Sequence, residues 1–333
     1  MSVDVVLHHA AYQRVKDRLT ALSLPVRPLL LQDDGLCRIG DGTAALADQA
    51  PEIVWLSLDI AQSRLFGSCM EFVSAAPSVK WLQTFNAGLD HPAYRKIAAA
   101  GIRIGASSAQ AVAISEYTFA HVLNLYQPIE TQRRLQAQKE WRRLPFRELS
   151  RSTWLVVGFG NIGQELAKRA KAFGARVLAI RRSPTTSPLA DEIGTPSALT
   201  DFLPRADIVV LACPHTRETE RMANPGFFEA MKDGAILVNV ARGGLVDDEA
   251  LLAALDRGKV GTAVLDVFEP EPLPASSPYW EHPKVRLTAH SSFAGEATSL
   301  RGDELFLENL PRYFAGKALR NEVDLKAFLE TAA

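Results

Sequence analysis

Ten short runs of apolar and β-branched residues recur along the chain, separated by segments of helical length. They are Val3–Leu7, Ile53–Leu58, Val79–Thr84, Ile102–Ile104, Trp154–Val157, Arg176–Ile180, Ile208–Leu211, Ala235–Val240, Thr262–Leu265 and Val285–Thr288. Most are apolar almost without interruption, as parallel strands are when both sheet faces are covered. The alternation predicts an α/β chain of doubly wound parallel sheets, and 333 residues are enough for two domains. With 47% apolar residues, the chain can bury a core in each. One helical segment, residues 109–126, is apolar on almost every face. It must be buried on several sides, within one domain, between domains or against another subunit.

Other classes drop out on composition. Thirty-seven basic and 38 acidic side chains leave a formal charge of −1, which gives no field to attract nucleic acid or an anionic membrane. Three cysteines (Cys37, Cys69, Cys213), with no CxxC pair, fit neither a disulfide framework nor a zinc knuckle. The opening MSVDVVLHH has no signal-peptide pattern, and no apolar run reaches membrane-spanning length, so a reducing, cytoplasmic setting is expected.

The segment WLVVGFGNIGQELAKRAKAFGARVLAIRR (154–182) is the strongest local signal. Gly158, Gly160 and Gly163 follow a strand and open a helix, the context in which GxGxxG holds a dinucleotide. Gly158 allows the tight turn, Gly160 lets the backbone approach a pyrophosphate, and Gly163 lets helix and strand pack closely. Asn161 and Ile162 stand in the first turn of the helix, whose N–H groups form an anion site. The end of the next strand selects the cofactor. An acid there would bind the ribose hydroxyls of NAD(H), but Arg181, Arg182 and Ser183 occupy the position, 23 residues and more after Gly158. Guanidinium forks pair with a 2′-phosphate, so NADP(H) is favoured, with NAD(H) possible if these arginines are only a solvated turn.

Three later stretches end apolar strands with polar residues: VNVARGGLVDD (238–248), TAVLDVFEPEPLP (262–274) and VRLTAHSSFAG (285–295). Ligands of open α/β sheets bind beyond the carboxyl ends of the strands, so Arg242, Asp266, Glu271 and His290 are expected at one edge. In order and spacing, GFGNIG, ARGGLVD, DVFEPEP and the histidine resemble the D-isomer-specific 2-hydroxyacid dehydrogenase family, over most of the chain and most strongly from Asn86 to Gly295.

That resemblance implies that Arg242 binds the substrate carboxylate, Glu271 partners the histidine and His290 is the acid/base. It implies that Asp266 holds the nicotinamide carboxamide, with Ala241 beside the cofactor and Cys213 and Pro214 on the adenosine side. Ala87, Gly88 and Leu89, in NAGLDHP, resemble the loop whose amides bind the carboxylate. The chain departs from many members at Ala289, where they have proline, and at the Arg181–Ser183 run. The second departure, with WRRLP (141–145) and SPYWEHP (277–283), resembles the NADPH-using glyoxylate/hydroxypyruvate reductases, in which a tryptophan, here Trp141, can approach the neighbouring subunit's substrate.

The chemistry of these residue types agrees. Reduction of a 2-keto acid needs a cation for its carboxylate and an acid for the developing alkoxide. Arg242 suits the first need and His290 the second; Glu271 would orient the imidazole and favour its protonated form. Alone, Glu271 could be a solvated loop acid and Arg242 a strand cap. His8, His9, His91, His121, His215 and His282 read as structural or surface residues.

The resulting expectation is a flavodoxin-like substrate domain, residues 1–118 and 295–333, with a Rossmann domain, 119–294, inserted in it. The expected protein is a metal-free homodimer reducing glyoxylate or hydroxypyruvate. Two alternatives stay open. One is a 3-phosphoglycerate-type dehydrogenase, although the chain leaves no room for the regulatory domain many of those carry. The other is a corepressor-like dinucleotide sensor without turnover.

Overall fold

The computed structural model describes residues 2–183 and 185–331. The chain forms two compact units, 1–110 with 296–333, and 111–295.

In the first unit the strands are β1 (Val3–His8), β2 (Val26–Leu31), β3 (Leu36–Ile39), β4 (Gly42–Ala45), β5 (Ile53–Leu56), β6 (Trp81–Thr84) and β7 (Arg103–Gly105). Their order, β4-β3-β2-β1-β5-β6-β7, contains the parallel series β2-β1-β5-β6-β7, which is the flavodoxin-like arrangement. Strands β3 and β4 add an antiparallel hairpin at one edge. These, with β2, lie outside the apolar runs named above. Pro25 and Pro28 obscure β2, and four-residue strands such as β3 and β4 carry too little pattern to read.

Alternate side chains of β5 enter opposite layers. Val54 and Leu56 pack with Val6, Leu82 and Ile104, while Ile53 and Trp55 pack with Val5, Leu7 and Trp81. The returning helix Thr298–Phe314 supplies Phe306, Leu307 and Leu310 to the second layer, with Phe306 stacked 4.1 Å from Trp55.

The strands of the second unit are β8 (Thr153–Val157), β9 (Arg176–Ile180), β10 (Glu192–Gly194), β11 (Ile208–Leu211), β12 (Ala235–Asn239), β13 (Val260–Leu265) and β14 (Val285–Leu287). Their order is β10-β9-β8-β11-β12-β13-β14, parallel throughout, which is the Rossmann arrangement with one strand added. Leu155, Val157, Val209 and Leu211 pack on one face; Trp154, Val156, Ile208 and Val210 pack on the other. The apolar helix, here Ala111–Tyr126, joins the second layer through Ile114, Phe119 and Val122, with Phe119 stacked 4.6 Å from Trp154. It is thus at least a core helix of this unit. No helix of the described residues is long and apolar enough to cross a membrane.

A charged cluster ties the first unit together. Arg14 binds Asp59 through both terminal nitrogens, at 2.8 and 2.7 Å, and reaches Asp303 through Nε at 2.7 Å. Burial pushes both acids up. For Asp59 the Arg14 and Ser57 bonds overcome this and bring it down to about 2, whereas Asp303 stays raised. Asp59 therefore contributes stability that is present above its unfolded value near 3.8 and is lost as pH falls through about 2. Asp303 works in the opposite sense. Replacing Arg14 with Ala leaves two packed carboxylates without their cation. It should cost about 3 kcal/mol in urea unfolding at pH 7, the low end for a broken buried pair because Arg14 keeps some contact with water. The deficit should shrink on acidification as the two acids protonate; a deficit independent of pH would show the loss to be one of packing.

Candidate active site

The second sheet sets its functional residues by register. Ile180 pairs with Val157, Val157 with Leu211, Leu211 with Asn239, Asn239 with Leu265, and Leu265 with Leu287. Those six residues form one line across the sheet near the carboxyl ends of its strands. Arg181, Gly158, Cys213, Arg242, Asp266 and His290 each follow their strand's member of that line within three residues. Of the four residues expected at one edge, Arg242, Asp266 and His290 follow the line directly, and Glu271 stands further along the loop after β13.

At the glycine loop, packing requires two of the three glycines. Gly158 has φ +105°, and a Cβ there would lie 2.5 Å from the Ala212–Cys213 peptide. A Cβ on Gly163 would lie 2.1 Å from the Gly158 carbonyl oxygen. Around Gly160 nothing lies within 4 Å of that position. This glycine serves no packing need and leaves an open cradle before the helix Asn161–Ala172. Ile162 packs in the layer beneath, and Asn161 is exposed. The cradle and the opening turn of a helix suit the pyrophosphate of a dinucleotide.

Arg181 is half-buried and its N–H donates to the Gly194 carbonyl at 3.0 Å. Arg182 and Ser183 are exposed, and neither guanidinium has an ion-pair partner among the described residues. On the next loop, burial pushes the Cys213 thiol up to about 11, so it stays protonated at neutral pH; Thr219 Oγ1 donates to the Pro214 carbonyl at 2.7 Å. His215 follows, and its Nε2 is buried without a partner among the described residues, close beneath Gly244. The sequence alone reads it as a structural or surface residue. The available signal was its position past the end of β11, on the same edge as the rest.

Three turns set the polar residues. Asn239 organises the first: its Oδ1 accepts from the Ala241 N–H at 3.1 Å and its Nδ2 donates to the Arg242 carbonyl at 2.8 Å. Ala241 is buried, and Arg242 Nη1 donates to its carbonyl at 2.6 Å. Asp266 is fully buried. Its Oδ1 accepts from Thr288 Oγ1 at 2.5 Å and from Ser291 N at 2.8 Å, and its Oδ2 from Ser292 N at 3.0 Å. The Asp266 carbonyl accepts from His290 N at 2.7 Å. This residue thus clasps the turn that carries the histidine.

His290 has φ +49°, the left-handed region. Its Nδ1 lies 2.8 Å from Glu271 Oε2, and Glu271 Oε1 accepts from Phe268 N at 2.9 Å. A carboxylate only accepts, so Nδ1 carries the proton and Nε2 is left to meet a ligand. Both side chains are part-exposed, at 40% and 36%.

The remaining residues lie elsewhere. Ala87, Gly88 and Leu89 follow β6 in the first unit, and their backbone N–H groups have no acceptor among the described residues. Trp141 stands on an irregular segment and is 99% exposed, so its own chain does not bring it to the site.

Residues 119–292 match the family model for the NAD binding domain of D-isomer specific 2-hydroxyacid dehydrogenases. A D-3-phosphoglycerate dehydrogenase of Archaeoglobus fulgidus is 33% identical over 262 residues, 77% of this chain and 49% of that protein. Glyoxylate/hydroxypyruvate reductase A of Serratia proteamaculans is 33% identical over 177 residues, 53% of this chain and 56% of that one. This chain therefore spans about half the length of these two relatives. The crystal structure of a D-isomer specific 2-hydroxyacid dehydrogenase from Xanthobacter autotrophicus Py2, in complex with NADPH and MES, superposes with a TM-score of 0.75. It is 26% identical, and the match covers 98% of this chain and 99% of that one.

The two kinds of glycine should separate in the laboratory. Gly160→Ala should unfold in urea like the wild type yet bind dinucleotide at least about tenfold more weakly by calorimetric titration, since its methyl occupies the cradle. Gly163→Ala should lose about 2 kcal/mol or more of stability, because its methyl meets backbone. Equal effects on folding would show that the cradle is not open.

Proposed function

The chain belongs to the D-isomer specific 2-hydroxyacid dehydrogenase family, and from that premise we propose that it reduces a small 2-keto acid, glyoxylate or hydroxypyruvate, with NADPH. The observation that carries the reading is the His290–Glu271 pair, held at 2.8 Å on the edge where Arg242 also emerges. When bound, the reduced dinucleotide supplies the hydride. Arg242 holds the substrate carboxylate and polarises its carbonyl. His290 Nε2 delivers the proton to the developing alkoxide, with Glu271 fixing the ring and its tautomer. Asp266 keeps the histidine turn in place and, by the family resemblance, has its remaining accepting capacity for the carboxamide. The unpaired amides at Ala87, Gly88 and Leu89 support their assignment to the substrate carboxylate.

NADPH rather than NADH follows from Arg181, Arg182 and Ser183 in place of an acid. The NADPH complex of the Xanthobacter protein, 26% identical, supports it. We assign the working form as a homodimer. Trp141 at 99% exposure and Phe146 at 55% present apolar surface that a second copy would cover, and Trp141 would then serve the neighbouring subunit's substrate. A second reading, a 3-phosphoglycerate-type dehydrogenase, draws on the Archaeoglobus relative. Parallel assays with glyoxylate, hydroxypyruvate and 3-phosphohydroxypyruvate separate the two, and no turnover with any 2-keto acid would leave a dinucleotide sensor.

Arg242→Ala should lower kcat/KM by about 10²–10³-fold while leaving NADPH affinity within a few-fold, because the cation serves the substrate. His290→Gln should lower kcat by about 10²–10⁴-fold, and Glu271→Gln by roughly tenfold, since it spares the proton donor. Steady-state kinetics at wild-type values in these variants would remove those residues from the chemistry.

Arg181→Ala and Arg182→Ala should each weaken NADPH by roughly ten- to a hundredfold, the equivalent of one charge-assisted hydrogen bond, and leave NADH little changed. Arg181→Asp should shift preference towards NADH by adding repulsion to the 2′-phosphate. A wild-type kcat/KM already higher with NADH would overturn the assignment.

A further inference from the structure

The first unit carries a constellation that the proposed chemistry does not use. His8 ends β1, His9 opens the helix His9–Ala21, and Asp33 sits in the turn after β2. His8 Nε2 lies 3.1 Å from Asp33 Oδ1, and His9 Nε2 lies 3.2 Å from Asp33 Oδ2. One ligand atom from each of the three side chains can be chosen so that all lie within 4.8 Å of one another. The two imidazole rings lean together, with centroids 4.5 Å apart.

The fold presents these groups without using all of them. Strands β1 and β2 are in register, His8 opposite Leu31, which brings Asp33 beside the strand end. The turn is fixed by its neighbours: Gly35 N donates to Gln32 O at 3.0 Å, and Leu36 N to Asp34 Oδ1 at 2.9 Å. Asp34 is thereby consumed by the turn, whereas Asp33 has no lysine or arginine partner among the described residues. His8 is buried and His9 and Asp33 are accessible, so one ligand is rigid and two can adjust. The cluster also lies at the carboxyl edge of the sheet, over the neighbouring strands β1 and β2. Open α/β sheets bind ligands at such edges.

We propose that His8, His9 and Asp33 form a binding site for one divalent first-row transition ion of the zinc, cobalt or nickel class. Around a tetrahedral ion with bonds near 2.0–2.1 Å, neighbouring ligand atoms stand about 3.3 Å apart. With either Asp33 oxygen as the ligand, one nitrogen–oxygen separation already matches that edge, and the remaining ligand atoms lie within 4.8 Å and close on it by small rotations of the accessible His9 and Asp33 side chains. Two imidazoles and one carboxylate select such an ion over calcium or magnesium, and three protein ligands leave a position for water.

One cost is visible. His8 Nδ1 accepts from Ala10 N at 3.3 Å, so the proton now sits on Nε2. Coordination through Nε2 moves that proton to Nδ1 and releases the Ala10 amide to water. Losing such a cap costs less than a metal–imidazole bond returns.

The test uses the full chain without a histidine tag, stripped with chelator. Equilibrium dialysis with Zn²⁺ gives the stoichiometry, and titration with Co²⁺ gives the visible absorption of a four-coordinate site. One ion per chain is expected. His9→Ala and Asp33→Asn, both at accessible positions, should each weaken binding at least about tenfold and abolish the Co²⁺ spectrum. His282→Ala, which removes the His282–Asp256 pair, should change neither. Urea unfolding of the chelator-stripped protein at the wild-type midpoint shows that each variant is folded. Absence of saturable binding, or binding that survives either ligand substitution, overturns the site.

Discussion

A parallel sheet ends all its strands on one side, and in the second unit pairing brings six of those ends into a single line. Arg181, Gly158, Cys213, Arg242, Asp266 and His290 inherit their positions from that line. A slip of one residue in any pair would turn an arginine, an aspartate or a histidine to the other face. The apolar side chains that fill both layers thereby fix where the polar residues emerge.

Turn chemistry does the finer placement. Asn239 uses both ends of its amide to shape the turn into Arg242, and Asp266 uses both carboxylate oxygens and its carbonyl to shape the turn into His290. Each is buried, where an unpaired polar group would be costly. The glycine loop is held differently, by backbone lying so close to backbone at Gly158 and Gly163 that no side chain fits. Only at Gly160 does the absence of a side chain leave space instead of filling it.

Much of this was legible in the sequence because it is encoded locally. GxGxxG between a strand and a helix has a fixed spacing, and the polar residues follow apolar runs directly. The edge hairpin of β3 and β4 was not legible, since each strand has four residues and little pattern. The second role of Asp266 was hidden too, because its donors at Thr288, Ser291 and Ser292 lie 22 to 26 residues away. His8 and His9 read as structural for the same reason: Asp33 becomes their neighbour only when β1 pairs with β2.

The left-handed backbone at His290 has an evolutionary consequence. A side chain with a Cβ gives up roughly 1 kcal/mol or more in that conformation, and glycine would recover most of it. On the proposed assignment of His290 as the acid/base, the chain could become sturdier at this position by becoming inert. A lineage selected only for persistence would drift away from histidine here, while one selected for turnover must keep restoring it.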